Sequence, residues 1–134
     1  MAEQFPGITH AALTVRDLEV SVPWYKRLVG ADPVMDEDTG PYHHVVWALD
    51  GGSLLSIHKH TTPPAEGDRF DELRLGLDHL AFGVPDRAAL EKCQRQLDEL
   101  GIAHGGIIDA HYGSALSFRD PDNNALEFFA PPSS

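Results

Sequence analysis

Leu77-Asp78-His79-Leu80-Ala81-Phe82-Gly83-Val84-Pro85-Asp86 is a strand followed by a helix cap. Alternation puts Leu80, Phe82 and Val84 on one face of an extended chain and His79, Ala81 and Gly83 on the other. The first face suits a core. The second is small except for one imidazole. Asp86 stands where a carboxylate caps a helix, and the spacing predicts that helix over residues 87–100, with Leu90, Cys93, Leu97 and Leu100 as its buried stripe and Gly101 as its stop. The same order of residues occurs 69 positions earlier, where His10, Val15 and Asp17 correspond to His79, Val84 and Asp86. Ala11, Leu13 and Val15 form the apolar face there, opposite His10, Ala12 and Thr14. A helix over 18–29 closes at Gly30, its regular part beginning near Val22 with Pro23 in the first position and Ser21 competing with Asp17 as cap.

Further strands are expected around 33–35, 42–49 and 53–58, with turns at 36–41 and at Asp50-Gly51-Gly52. In the second half they fall around 106–109, 114–118 and 125–130. Each half therefore reads βαβββ, the mark of a duplicated supersecondary unit. Neither half buries its sheet well alone, so one α+β domain over residues 1–134 is expected, with module 1 at about 8–58, a linker at 59–76 and module 2 at about 77–130. Late in each half the spacing drifts to 72, which sets Asp50 on Asp122, Leu54 on Leu126 and Leu55 on Glu127.

Acidic residues number 21 against 10 Lys and Arg, a formal charge of -11, which disfavours nucleic acid and anionic membranes as partners. Small molecules, or a second copy of the chain, remain. No window approaches the roughly 20 apolar residues of a membrane span, and no secretory leader pattern opens the sequence, so the expectation is a soluble, cytoplasmic protein. Cys93 is the only cysteine, which excludes an intramolecular disulfide.

The chemistry centres on Asp120-Pro121-Asp122-Asn123-Asn124-Ala125-Leu126-Glu127-Phe128-Phe129, a turn that delivers one carboxylate onto an apolar strand. A buried Glu127 needs a cationic partner. His10 and His79 occupy equivalent strand positions among small residues. If the three faces line one concavity, two neutral imidazoles and a carboxylate meet with metal positions left open, a set that suits Fe(II), Mn(II), Zn(II) or Ni(II). Tyr42, His43, His44 and Trp47 share a strand that crosses this region. Alternation lets one of His43 and His44 face inward, as a candidate general base or substrate hydrogen-bond donor. His60 and His104 are expected to be exposed and without a role.

The motifs Ile8-Thr9-His10, Trp24-Tyr25-Lys26-Arg27-Leu28-Val29-Gly30, Leu77-Asp78-His79 and Phe118 to Glu127 together resemble the vicinal oxygen chelate superfamily. Its members include glyoxalase I, fosfomycin-resistance thiol transferases, extradiol dioxygenases, methylmalonyl-CoA epimerase and bleomycin-resistance proteins. The resemblance implies paired βαβββ modules forming a cupped mixed sheet with helices outside, a divalent metal in the cup, and commonly a homodimer. It implies ligands on the first and last strands of each module. With Leu55 opposite Glu127, glyoxalase-type chemistry lacks its second Glu, and His10, His79 and Glu127 resemble the three-ligand sets of extradiol dioxygenases and fosfomycin-resistance enzymes. Extradiol enzymes also use a His and a Tyr beside the metal. Arg119 stands where that Tyr is expected, and His111 and Tyr112 are the stand-ins. Dioxygenase-type chemistry is thus favoured over lyase or transferase chemistry, and non-catalytic sequestration of a drug or metabolite is the alternative.

Overall fold

The computed structural model describes residues 4–65, 67 and 69–133, which divide into two compact units, Met1–Glu66 and Gly67–Ser134. In the first, β1 (His10–Thr14) leads to α1 (Leu18–Val29), then β2 (Met35–Asp38), β3 (Tyr42–Ala48), a single 3₁₀ turn and β4 (Leu54–His60). In the second, β5 (Leu80–Gly83) precedes α2 (Arg87–Glu99), β6 (His104–Ala110), β7 (Gly113–Arg119) and β8 (Ala125–Ala130). The sheet orders are β1-β4-β3-β2 and β5-β8-β7-β6, and in each the first strand lies parallel to the last while the other pairs are antiparallel. Both units are therefore α+β with the βαβββ order of the repeat.

The caps explain the helix limits. The Asp17 carboxylate accepts from the Glu19 amide and the Asp86 carboxylate from the Ala89 amide, meeting donors that the first turn leaves unpaired. Gly30, at φ 77°, takes the left-handed conformation that ends α1 and donates its amide to the Lys26 carbonyl. Asp17 is thus the cap and Ser21 is not; Ser21 is fully buried. The regular helix starts at Leu18, earlier than Pro23 suggests, so the proline sits inside α1. It leaves the Glu19 carbonyl without its helical donor.

In the first unit the apolar face holds Leu13, Val45, Trp47, Leu55 and Ile57, all at most 6% exposed. The Tyr25 ring from α1 meets Trp47 at 6.0 Å between centroids, and the Trp47 indole N–H donates to the Ala31 carbonyl. The second core gathers Leu90 and Leu97 of α2 with Leu116, Phe118 and Leu126 of the sheet. Each such side chain contributes roughly 1.5–3 kcal/mol by leaving water.

Two expected boundaries move. The turn expected at 36–41 begins as strand, because Met35–Asp38 pairs with β3 as an edge strand whose four side chains are exposed; an acidic run is at home on a solvated edge. The expected linker also shrinks at both ends. β4 continues to His60, and Phe70 is tied to the second unit by its amide on the Asp122 carbonyl and its carbonyl on the Asn123 side-chain amide. Gly113 opens β7 at φ 145°, where an added Cβ would stand 2.6 Å from the Ala130 carbonyl oxygen. That approach admits only glycine.

Candidate functional site

The turn before β8 is held by a buried carboxylate. Asp120, 5% exposed, accepts the Asp122 and Asn124 amides on one oxygen, at 2.9 and 2.8 Å, and the Asn124 side-chain amide on the other at 2.8 Å. Asn123 adopts φ 69°, a left-handed conformation asparagine tolerates. β8 leaves this turn with Leu126 and Phe128 facing the core, so Glu127 faces the opposite side, its side chain 16% exposed. Its register partners there are Ala81 and Ser117, whose small side chains leave space beside the carboxylate.

His79 immediately precedes β5. Its Nδ1 lies 2.7 Å from an Asp78 carboxylate oxygen, and its Nε2 lies 3.4 Å from Glu127 Oε2. A ring whose Nδ1–H donates to Asp78 turns an Nε2 lone pair toward Glu127, so two electron-rich atoms face each other. A cation between them removes that repulsion. Two donors each about 2.1 Å from one divalent ion stand about 3.0 to 3.4 Å apart for angles from ninety degrees to tetrahedral. The pair therefore fits as two of an ion's ligands, with Asp78 orienting the imidazole as carboxylates do behind metal-binding histidines. In the first unit His10 repeats the arrangement, its Nδ1 at 2.9 Å from Thr9 Oγ1. Each histidine is thus engaged by the residue before it. The sequence carries that signal, a side-chain oxygen directly preceding each histidine, which alternation along the strand does not register. Among the described residues no three His, Cys, Asp or Glu side chains gather closely enough to hold a metal.

The strand register corrects the counterpart of Glu127. Ala81 pairs with Glu127 in β8, and its equivalent Ala12 pairs with Ser56 in β4, one residue beyond Leu55. Leu55 is 1% exposed and belongs to the core, like Leu126. Ser56 lies on the face of His10, 4% exposed, with no hydrogen-bond partner for its hydroxyl.

Register also separates the two adjacent histidines of β3. His44 pairs with His58, which pairs with Thr14 of β1, so His44 shares the face of His10, and its buried Nε2 has no hydrogen-bond partner. His43 lies on the other face and pairs with Asp36. On the His44 face, Tyr42 stacks on His58 at 4.7 Å, and His44 meets His58 edge-on at 5.3 Å. Burial, then the neighbouring imidazoles of His44, His60 and His10, hold the His58 pKa below its ordinary value. His60 belongs to this cluster, its ring 6.2 Å from that of His58.

Other expected residues fall elsewhere. His111 and Tyr112 occupy the tip between β6 and β7, whereas Glu127 pairs with Ser117, four residues into β7 and roughly 14 Å along the strand. They are not brought to Glu127. Arg119 is committed to Glu72, with contacts of 2.6 and 3.1 Å, and to the Asn123 carbonyl. His104 is not exposed: its side chain is 13% accessible, and its ring is held between Asp98 and the Gly106 amide.

A family model described as the glyoxalase/bleomycin resistance protein/dioxygenase superfamily matches residues 7–128. Catechol-2,3-dioxygenase of Bacillus subtilis (strain 168) is 32% identical over 125 residues, 92% of this chain but 41% of its own length, so the chain spans about two fifths of that relative. The metallothiol transferase FosB of Staphylococcus haemolyticus is 25% identical over 90% of this chain and 81% of its own. A glyoxylase/bleomycin resistance protein/dioxygenase domain from Frankia sp. EAN1pec superposes with a TM-score of 0.85 at 30% identity, covering 98% of this chain and 96% of that one.

Proposed function

Since the chain belongs to the glyoxalase/bleomycin resistance protein/dioxygenase superfamily, we propose that it is a divalent-metal-dependent enzyme acting on a small substrate with two neighbouring oxygens. His79 and Glu127 supply two ligands and His10 the third, from the same chain or a second copy. The observation that carries the reading is the 3.4 Å approach of His79 Nε2 to Glu127 with Nδ1 held by Asp78. Fe(II), Mn(II), Zn(II) or Ni(II) bound by these residues supplies a Lewis acid that polarises substrate oxygens. Thr9 and Asp78 orient the two imidazoles. Ala81 and Ser117 leave room for substrate beside Glu127. His44, with a buried and unpartnered Nε2, is the proton-transfer group at the substrate, and the Ser56 hydroxyl donates a hydrogen bond to it.

Dioxygenase-type chemistry is favoured over lyase or transferase chemistry. It is supported by the serine that replaces a second carboxylate at position 56 and by 32% identity to the catechol dioxygenase. The working assembly is a homodimer, and the lone Cys93 suits the reducing cytoplasm. Elemental analysis of tag-free protein, paired with oxygen uptake on catechols, tests the reading. One divalent ion per chain and turnover are expected, and both are lost in His79→Ala.

The second reading is sequestration of a planar drug or metabolite. The stacked Tyr42 and His58 rings favour it. Protein without stoichiometric metal, whose ligand binding survives His79→Ala, establishes that reading instead.

A further inference from the structure

Glu127 and His79 reach one another by different routes through the second unit. Glu127 follows the tight turn at 120–124, whereas His79 ends the stretch that leads from Phe70 to β5. Packing does little to fix that stretch. No residue from 71 to 79 belongs to a helix or strand, all but Glu72 are exposed, and Leu73 is 90% exposed. Its place depends on polar ties, and those at its start run to the turn that delivers Glu127. The Phe70 amide donates to the Asp122 carbonyl at 2.8 Å, and the Asn123 side-chain amide donates to the Phe70 carbonyl at 2.9 Å. Arg119, at the end of β7, donates to both Glu72 carboxylate oxygens at 2.6 and 3.1 Å and to the Asn123 carbonyl at 3.2 Å. A planar guanidinium engaging both oxygens of a carboxylate fixes orientation as well as distance. Beyond the fork, the Asp71 carboxylate accepts the Leu73 amide and its carbonyl the Arg74 amide, a local turn that stiffens the chain. The Glu72 hydrogen bond, then the charges of Glu72, Asp78 and Asp71, hold the Arg119 pKa above its ordinary value against desolvation. Arg119 thus lies within electrostatic reach of Asp78, the carboxylate that holds His79.

We propose that Arg119 is a positioning residue for the His79–Glu127 pair: its fork on Glu72 fastens the exposed stretch to the turn, which sets His79 at the distance from Glu127 that one ion spans. This role rests on the proposed metal binding by His79 and Glu127. Arg119 acts through Glu72 and Asn123, one on each of the two routes to the pair. Ligands held in place before the ion arrives have less to order when it binds, so loosening the stretch weakens binding without removing a donor.

Calorimetric titration of Mn(II) into the chelator-treated full chain tests it, beside NMR order parameters of the backbone amides in the metal-free protein. In Arg119→Gln and in Glu72→Gln alike, Kd rises about tenfold, and the double variant goes no further because both substitutions remove one fork. The two substitutions change the local charge in opposite directions, so an effect of charge alone lowers Kd in the first and raises it in the second. Order parameters at residues 77–79 fall in both variants with no metal present. Arg87→Gln breaks a comparable fork in the same unit, on Asp109 at 2.9 and 3.0 Å, and leaves both readouts unchanged. A Kd that stays constant or moves in opposite directions in the two variants, or order parameters at 77–79 that keep their native values, overturns the proposal. Native protein that binds no Mn(II) removes the metal reading instead, and the metal-free order parameters still decide whether Arg119 holds the stretch. If Arg119→Gln fails to fold, Glu72→Gln with the order parameters gives the same discrimination.

Discussion

The two units share one backbone plan and differ at the strand position opposite Ala12 and Ala81. Ala12 opposite Ser56 in the first matches Ala81 opposite Glu127 in the second. In the second unit that position holds a carboxylate facing an imidazole. In the first it holds a hydroxyl without a partner, and the histidines lie further along the strands, at positions 44, 58 and 60. Duplication has kept the scaffold, and the chemistry has diverged on the face that packing does not constrain. A buried polar atom without a partner is costly, and the proposed substrate would offer one to Ser56 and His44.

The largest effect expected separates positions 55 and 56. Leu55→Glu puts a charge into the first core and destabilises by roughly 4 kcal/mol or more, read as loss of the cooperative urea transition. Ser56→Glu restores the symmetry between the units. It folds in the presence of divalent metal, and Kd for Mn(II) falls about tenfold by calorimetric titration. Equal damage from both substitutions breaks the comparison.

The turns before the last strands provide the next contrast. Asp120→Ala removes an acceptor of three hydrogen bonds from a buried site and costs about 3 kcal/mol in chemical denaturation. Asp50→Ala, at an exposed position of the corresponding turn, stays within about 0.5 kcal/mol.

A smaller effect is confined to acid. The Arg119 guanidinium hydrogen-bonded to Glu72 lowers its carboxyl pKa from 4.5 to about 2. A depressed carboxylate pKa contributes stability that is present above the unfolded value and lost as pH falls through the folded one, here between about 4.5 and 2. Carboxyl NMR should show Glu72 titrating near the lower limit, and Arg119→Gln should return it to the ordinary range.

Much of this architecture is readable from the residues. The end of α1 follows from Gly30 and the limits of α2 from Asp86 and Gly101, because caps are local chemistry, whereas Pro23 points to a start of α1 near Val22 and the helix starts at Leu18 behind Asp17. The faces of β1 and β5 follow from alternation. What alternation along one strand does not supply is register across the repeat, and a slip of one residue exchanges the two faces. Setting Leu54 on Leu126 made Leu55 the counterpart of Glu127. Matching Leu55-Ser56-Ile57 to Leu126-Glu127-Phe128, two apolar residues around a polar one, recovers the observed pairing. His43 and His44 required the register with β4 for the same reason. The burial of His104 is not legible in the sequence because its partners, Asp98 at the end of α2 and the Gly106 amide, are set by tertiary structure.

The central proposal is that His79 and Glu127 form a metal-binding pair and that His10 is the third ligand. Titration of Mn(II) into chelator-treated, tag-free protein tests it most directly, beside Glu127→Gln and His10→Ala. One ion per chain in the native protein, with Kd raised about 100-fold or more in each variant, is the result predicted. Native protein that takes up no ion, or variants that bind as tightly as the native chain, would contradict it.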